Sequence, residues 1–192
     1  AWIGKMSAQI ANASGDEAAE AVAAALAEGI AAEDVGEALA LAANELVLRD
    51  PGRPKEWSSD EKPEGSVHGD SVGVHASDAA NAWRHIARVS NRRNAVASLI
   101  VCAYHTAGQN TRSNKDFYPL AEQLAAVKAT TADALLQELD AAVRGKDQFR
   151  AAALVHSYGQ QFCQANAARP VFDVLLRYGI SEDGALHAEK YY

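Results

Sequence analysis

From His68 to Asp78, eleven residues carry two histidines, two aspartates and two serines: His68-Gly69-Asp70-Ser71-Val72-Gly73-Val74-His75-Ala76-Ser77-Asp78. His68, Asp70 and His75 supply the donor types of a two-histidine, one-carboxylate centre, in which three protein groups hold a divalent cation and leave positions open for water or oxygen. Iron(II), manganese and zinc suit such a set. Asp78 follows His75 by three residues and is placed to orient that imidazole from behind, the role carboxylates commonly take beside a ligating histidine. Gly69 and Gly73 permit the tight turns that would aim the ligands inward. The competing reading is structural: Ser77 and Asp78 are typical residues at the start of a helix, and a histidine in a loop more often satisfies a hydrogen bond than a metal.

Gly69-Asp70-Ser71-Val72-Gly73 also fits the Gly-x-Ser-x-Gly pattern of serine hydrolases. That device needs a strand to deliver the serine into a strained turn before a helix, and no strand pattern precedes Ser71. Farther along, Asp183 and His187 are four residues apart and share a helix face, which makes His187 a candidate distal catalytic group. His156, in the apolar run Ala151 to Tyr158, is a second one. Arg84 and Arg88 are candidates for holding an anionic small-molecule substrate, with pairing to acidic helix faces as the ordinary alternative. His105 follows Cys102 by three residues on an apolar helix, and without a second such pair zinc is not expected there. Cys102 and Cys163 lack the spacing of a disulfide framework and are expected to be buried thiols. Tyr191 and Tyr192 read as a hydrophobic docking pair.

The elements that must position these groups are helical. The chain has 42 alanines, dense nearly everywhere but absent from Pro51 to His75 and from Asn110 to Leu120, which marks those stretches as loops. Ser14 and Glu17 form a capping box before a helix of about 15 to 28, closed by Gly29 with Ile30 folding back. A second helix reaches Arg49 and makes an antiparallel hairpin with the first. Further helices are predicted at about 77 to 89, 92 to 107, 118 to 128, 132 to 144, 147 to 164, 170 to 178 and 182 to 191. Asn91, Thr131 and Ser181 are their caps and Gly108 and Gly145 their stops. The residues before Ser14 look amphipathic. The expected fold is therefore all-α, an irregular bundle of stacked antiparallel hairpins with one long Gly/Pro-rich loop, in a single domain over 1–192. The functional loop spans about 50–76, far longer than helical connections usually are.

Val22 to Ala43, with Leu26-Ala27-Glu28-Gly29-Ile30 and Glu33-Asp34-Val35-Gly36-Glu37-Ala38-Leu39, resembles the helical hairpin of carboxymuconolactone decarboxylase and alkylhydroperoxidase-type proteins. The resemblance covers about 22 residues and is mostly turn chemistry. The redox Cys-x-x-Cys and following histidine of that superfamily have no counterpart, so neither activity nor residues carry over. The Glu-x-x-His of ferritin-like di-iron proteins and the His-Asp dipeptide of one phosphohydrolase class are absent too.

A formal net charge of -7 opposes binding to a phosphate backbone, and no apolar run approaches the ~18 residues of a membrane span. Nucleic acid and membrane insertion are not expected. A soluble, cytoplasmic setting is. The chain opens at Ala1 without an initiator methionine, which is compatible with its being the carboxyl-terminal part of a longer protein. These features converge on a helical metal-binding enzyme, a non-haem iron type oxidoreductase acting on a small molecule. The alternatives are a non-catalytic helical subunit or interaction domain of a larger assembly, with oligomer formation open to it, and a metal-assisted or histidine-based hydrolase.

Overall fold

The structure, a computed structural model, describes residues 1–66, 72–112, 116–163 and 168–179. The described chain is all-helical, as its alanine pattern and caps predict, with nine α-helices and no strand. They are α1 (Trp2–Asn12), α2 (Gly15–Ala27), α3 (Ala32–Leu48), α4 (Val72–Val89), α5 (Arg92–Gly108), α6 (Ala121–Ala126), α7 (Ala132–Arg144), α8 (Gln148–Phe162) and α9 (Arg169–Gly179). None of them is long and apolar enough to cross a membrane. The helix expected at about 182 to 191 and its Ser181 cap lie outside the described residues.

Local chemistry sets the helix ends. Ser14 Oγ accepts from the Glu17 N–H at 3.3 Å while the Ser14 N–H donates to Glu17 Oε2 at 2.9 Å, the reciprocal capping box. At the far end of α2, Gly29 takes φ +92°. The Gly29 and Ile30 N–H groups then donate back to the Leu26 and Ala25 carbonyls, a Schellman closure that tucks Ile30 against the core. Asn91 and Thr131 cap α5 and α7 through their side chains. The end of α7 departs from expectation: Gly145 keeps right-handed helical geometry, and the left-handed residue of the closure is Lys146, at φ 57°. The loop expected to run to about 76 also ends early, because α4 begins at Val72.

The chain divides into two compact units, Ala1–Pro51 with Gly69–Lys115, and Gly52–His68 with Asp116–Tyr192. In the first, α3 packs on α1 and α4, and α5 packs on α2 and α4. Although α2 and α3 are joined by a tight turn, each makes its main contacts with other helices. Alanine explains the close packing. Ala11, Ala18, Ala38, Ala42, Ala43, Ala76, Ala103 and Ala107 are fully buried among Ile10, Val22, Val35, Leu39, Leu46 and Leu99, and helices faced with methyl groups can approach closely.

In the second unit, α7 packs on α8 and α9 around Leu135, Leu139, Leu154, Tyr158, Val171 and Val174. Tyr178 of α9 donates its hydroxyl to Asp140 Oδ1 at 2.6 Å and accepts from Arg144 Nε at 3.1 Å, both on α7. The Tyr178 hydrogen bond, helped by the nearby arginines, holds the Asp140 carboxyl below its ordinary pKa. Residues 52–66 are largely exposed but ordered into an Ω-like loop. The Arg53 N–H donates to the Ser66 carbonyl at 2.7 Å and the Gly65 N–H to the Arg53 carbonyl at 2.8 Å, so the loop's two ends hold each other. Gly52, at φ +74°, has no alternative there: a Cβ would lie 2.1 Å from the Gly65 carbonyl oxygen.

Candidate functional site

Helix directions bring His75, Asp78, His105, Arg49 and Asp50 to one end of the first unit. Glu33 at the start of α3 binds Arg84 and Arg88 near the end of α4, so these helices are antiparallel. Gly15 at the start of α2 lies against Tyr104 near the end of α5, so that pair is antiparallel too. Arg49, just past α3, donates through Nη1 to Asn12 Oδ1 of α1 at 2.9 Å. Asn110, just past α5, donates through Nδ2 to the Ala13 carbonyl at 2.7 Å and satisfies the open end of α1. The ends of α1, α3 and α5 and the starts of α2 and α4 therefore share one end of the unit.

His75, Asp78 and His105 belong to this end. His75 is the fourth residue of α4 and is exposed, and Asp78 follows it by three residues and is half-buried. On a helix those two share a face. His105 lies in the last turn of α5 and is half-buried. Burial, and secondarily the neighbouring His75, lowers its pKa below the ordinary imidazole value, so His105 is held neutral. Its Nδ1 is buried and makes no hydrogen bond. One turn earlier, burial pushes the Cys102 thiol up to about 11 despite the Thr106 hydroxyl 3.8 Å from its sulfur. Cys102 is thus a protonated thiol at neutral pH and not a nucleophile. Arg49 and Asp50, each 7% exposed, are buried charged residues of the same end.

The sequence-predicted residues distribute as follows. His68 and Asp70 lie outside the described residues, as do Ser71, Asp183, His187, Tyr191 and Tyr192. Ser77 and Asp78 are not helix caps, since α4 starts at Val72 and carries both in its second turn. Arg84 and Arg88 are not brought together with His75. At 1.5 Å per residue they stand about 14 and 20 Å along the α4 axis from it. Both are engaged by Glu33: Arg84 Nη2 lies 3.0 Å from Oε1, and Arg88 donates through Nε to Oε2 at 3.2 Å and through Nη2 to Oε1. Gly36 makes room for this, because a Cβ there would come within 3.0 Å of Arg84 Cγ. The hydrogen bond from Arg88, with Arg84 assisting, lowers the Glu33 pKa to about 2.

His156 belongs to the second unit and is exposed on α8, a helix that buries Ala153, Leu154 and Tyr158 instead. Cys102 is the buried thiol expected, whereas Cys163 at the end of α8 is exposed. Among the described residues no group of three or more His, Cys, Asp or Glu side chains is arranged to hold a metal ion.

The residue that sequence reasoning undervalued is His105. A signal for it existed. His75 stands fifteen residues before Ser90 and His105 fourteen after Asn91, so an antiparallel turn at Ser90-Asn91 brings the two imidazoles level.

The fold and this end together define an all-helical protein with a close-packed alanine core and a histidine-bearing polar end. The chain matches no protein-family model, no curated protein and no solved structure.

Proposed function

We propose that the protein is a helical metal-binding enzyme, a non-haem iron type oxidoreductase acting on a small molecule. The ligands of its divalent ion (iron, manganese or zinc) are His75 and, as the sequence motif suggests, the His68 and Asp70 that precede it. The observation that supports this reading is the company His75 keeps. It stands at the end of the unit that carries the buried charges Arg49 and Asp50 and the neutral His105. Bound there, the metal would supply open coordination positions for oxygen or water. Asp78, on the His75 face of α4, would orient that imidazole.

Metal analysis of the purified protein tests the reading. The expected result is about one divalent ion per chain, reduced strongly in His75→Ala. A content near zero in the unaltered protein overturns it. Metal-assisted hydrolysis uses nearly the same parts, and dependence of turnover on oxygen separates the two. A non-catalytic interaction subunit is favoured by one observation: Val101 and Tyr104, a turn apart on α5, are 46% and 55% exposed and leave that helix apolar on its outer side. A metal-free protein whose assembly is lost on Val101→Lys would support that alternative.

A further inference from the structure

We propose that His75 and His105 form a two-imidazole pair that pins a divalent transition-metal ion across α4 and α5. This rests on the reading that a metal is held at this end of the unit, but on a residue which the ligand set above does not contain.

Three observations carry it. Counted out from the turn at Ser90-Asn91, the two histidines stand level on the packed helices α4 and α5. His105 Nδ1 is buried without a hydrogen bond, and an orphaned buried nitrogen calls for an explanation such as an ion or a catalytic duty. His105 also sits in the last turn of α5, where the helix dipole is negative and favours a cation. For a pair of imidazole nitrogens the ions that fit are iron(II), cobalt(II), nickel(II) and zinc(II).

The test is a titration of the intact protein with zinc in competition with a chromophoric chelator, run on the unaltered chain, His105→Ala, His75→Ala and the His68→Ala/Asp70→Ala double variant. His105→Ala and His75→Ala are each expected to weaken zinc by at least about tenfold. Unchanged affinity in His105→Ala, with loss in the double variant, overturns the inference and leaves the function proposed above standing. Loss in His105→Ala with none in the double variant supports the inference and removes His68 and Asp70 from the ligand set. No binding by the unaltered chain overturns both. Should His105→Ala fail to fold, cobalt(II) added to the unaltered protein decides: selective paramagnetic shifts of the His75 and His105 ring signals support the pair, and an unshifted His105 ring overturns it.

Discussion

The two units bury different things. Among the described residues, every buried serine, threonine or charged side chain (Ser7, Arg49, Asp50, Ser98 and Thr106) belongs to the first unit. The second closes over leucines, valines and Tyr158. The first also packs largely with alanine, which gives each helix pair little apolar area but lets backbones come close. A unit built only for stability would resemble the second. Of those buried polar residues, Arg49, Asp50 and Thr106 lie at the end of the first unit that also carries His75 and His105.

That contrast can be broken from both sides. Truncating Leu154, fully buried in the second unit, to alanine should cost about 2–5 kcal/mol, since a large side chain leaves a cavity that its neighbours only partly fill. Denaturant melts followed by circular dichroism would read this. A loss under about 1 kcal/mol would mean that the leucine cluster is not the stabilising core. Enlarging Ala42, fully buried in the first unit, to leucine should cost about 1–3 kcal/mol by overpacking. Trp83, packed against that core, reports the change by fluorescence. Tolerance of leucine there would show the alanine faces to be loosely packed.

The smallest effect is electrostatic. The pKa of Glu33 is lowered to about 2 in the folded chain, so its contribution is present above the unfolded carboxyl value of about 4.5 and is lost as pH falls toward 2. The carboxylate is 54% exposed and solvent-screened, so the contribution is modest. Thermal melts of Glu33→Gln and the unaltered chain should differ at pH 6 and converge near pH 2. Equal separation at both values would exclude the Arg84–Glu33–Arg88 contact as a source of stability.

Much of the fold was legible because it is written in short-range chemistry. Ser14 and Glu17, Gly29 and Ile30, Asn91 and Thr131 act over four residues or fewer, and each does what its type suggests. The start of α4 was not legible. Val72, Gly73 and Val74 are weak helix formers, so Ser77 looked like the first capping residue, yet the helix runs through them. Lys146 in the left-handed position was equally hidden behind Gly145, the residue that takes that geometry without strain. Of the candidate site, His75 and Asp78 were readable from local density of chemical groups. The level placement of His105 shows in the sequence only when α4 and α5 are counted out from the turn between them, and its burial does not show at all.

The mutual grip of Arg53 with Gly65 and Ser66 leaves the stretch between them as a closed eyelet on the second unit, entered and left at nearly the same point. Chain inserted between such neighbouring anchors adds little closure entropy, about 0.6 kcal/mol for each doubling of length. The eyelet is accordingly the natural place to splice in a tag or reporter peptide, with the Gly52 and Gly65 hinge-pins left untouched.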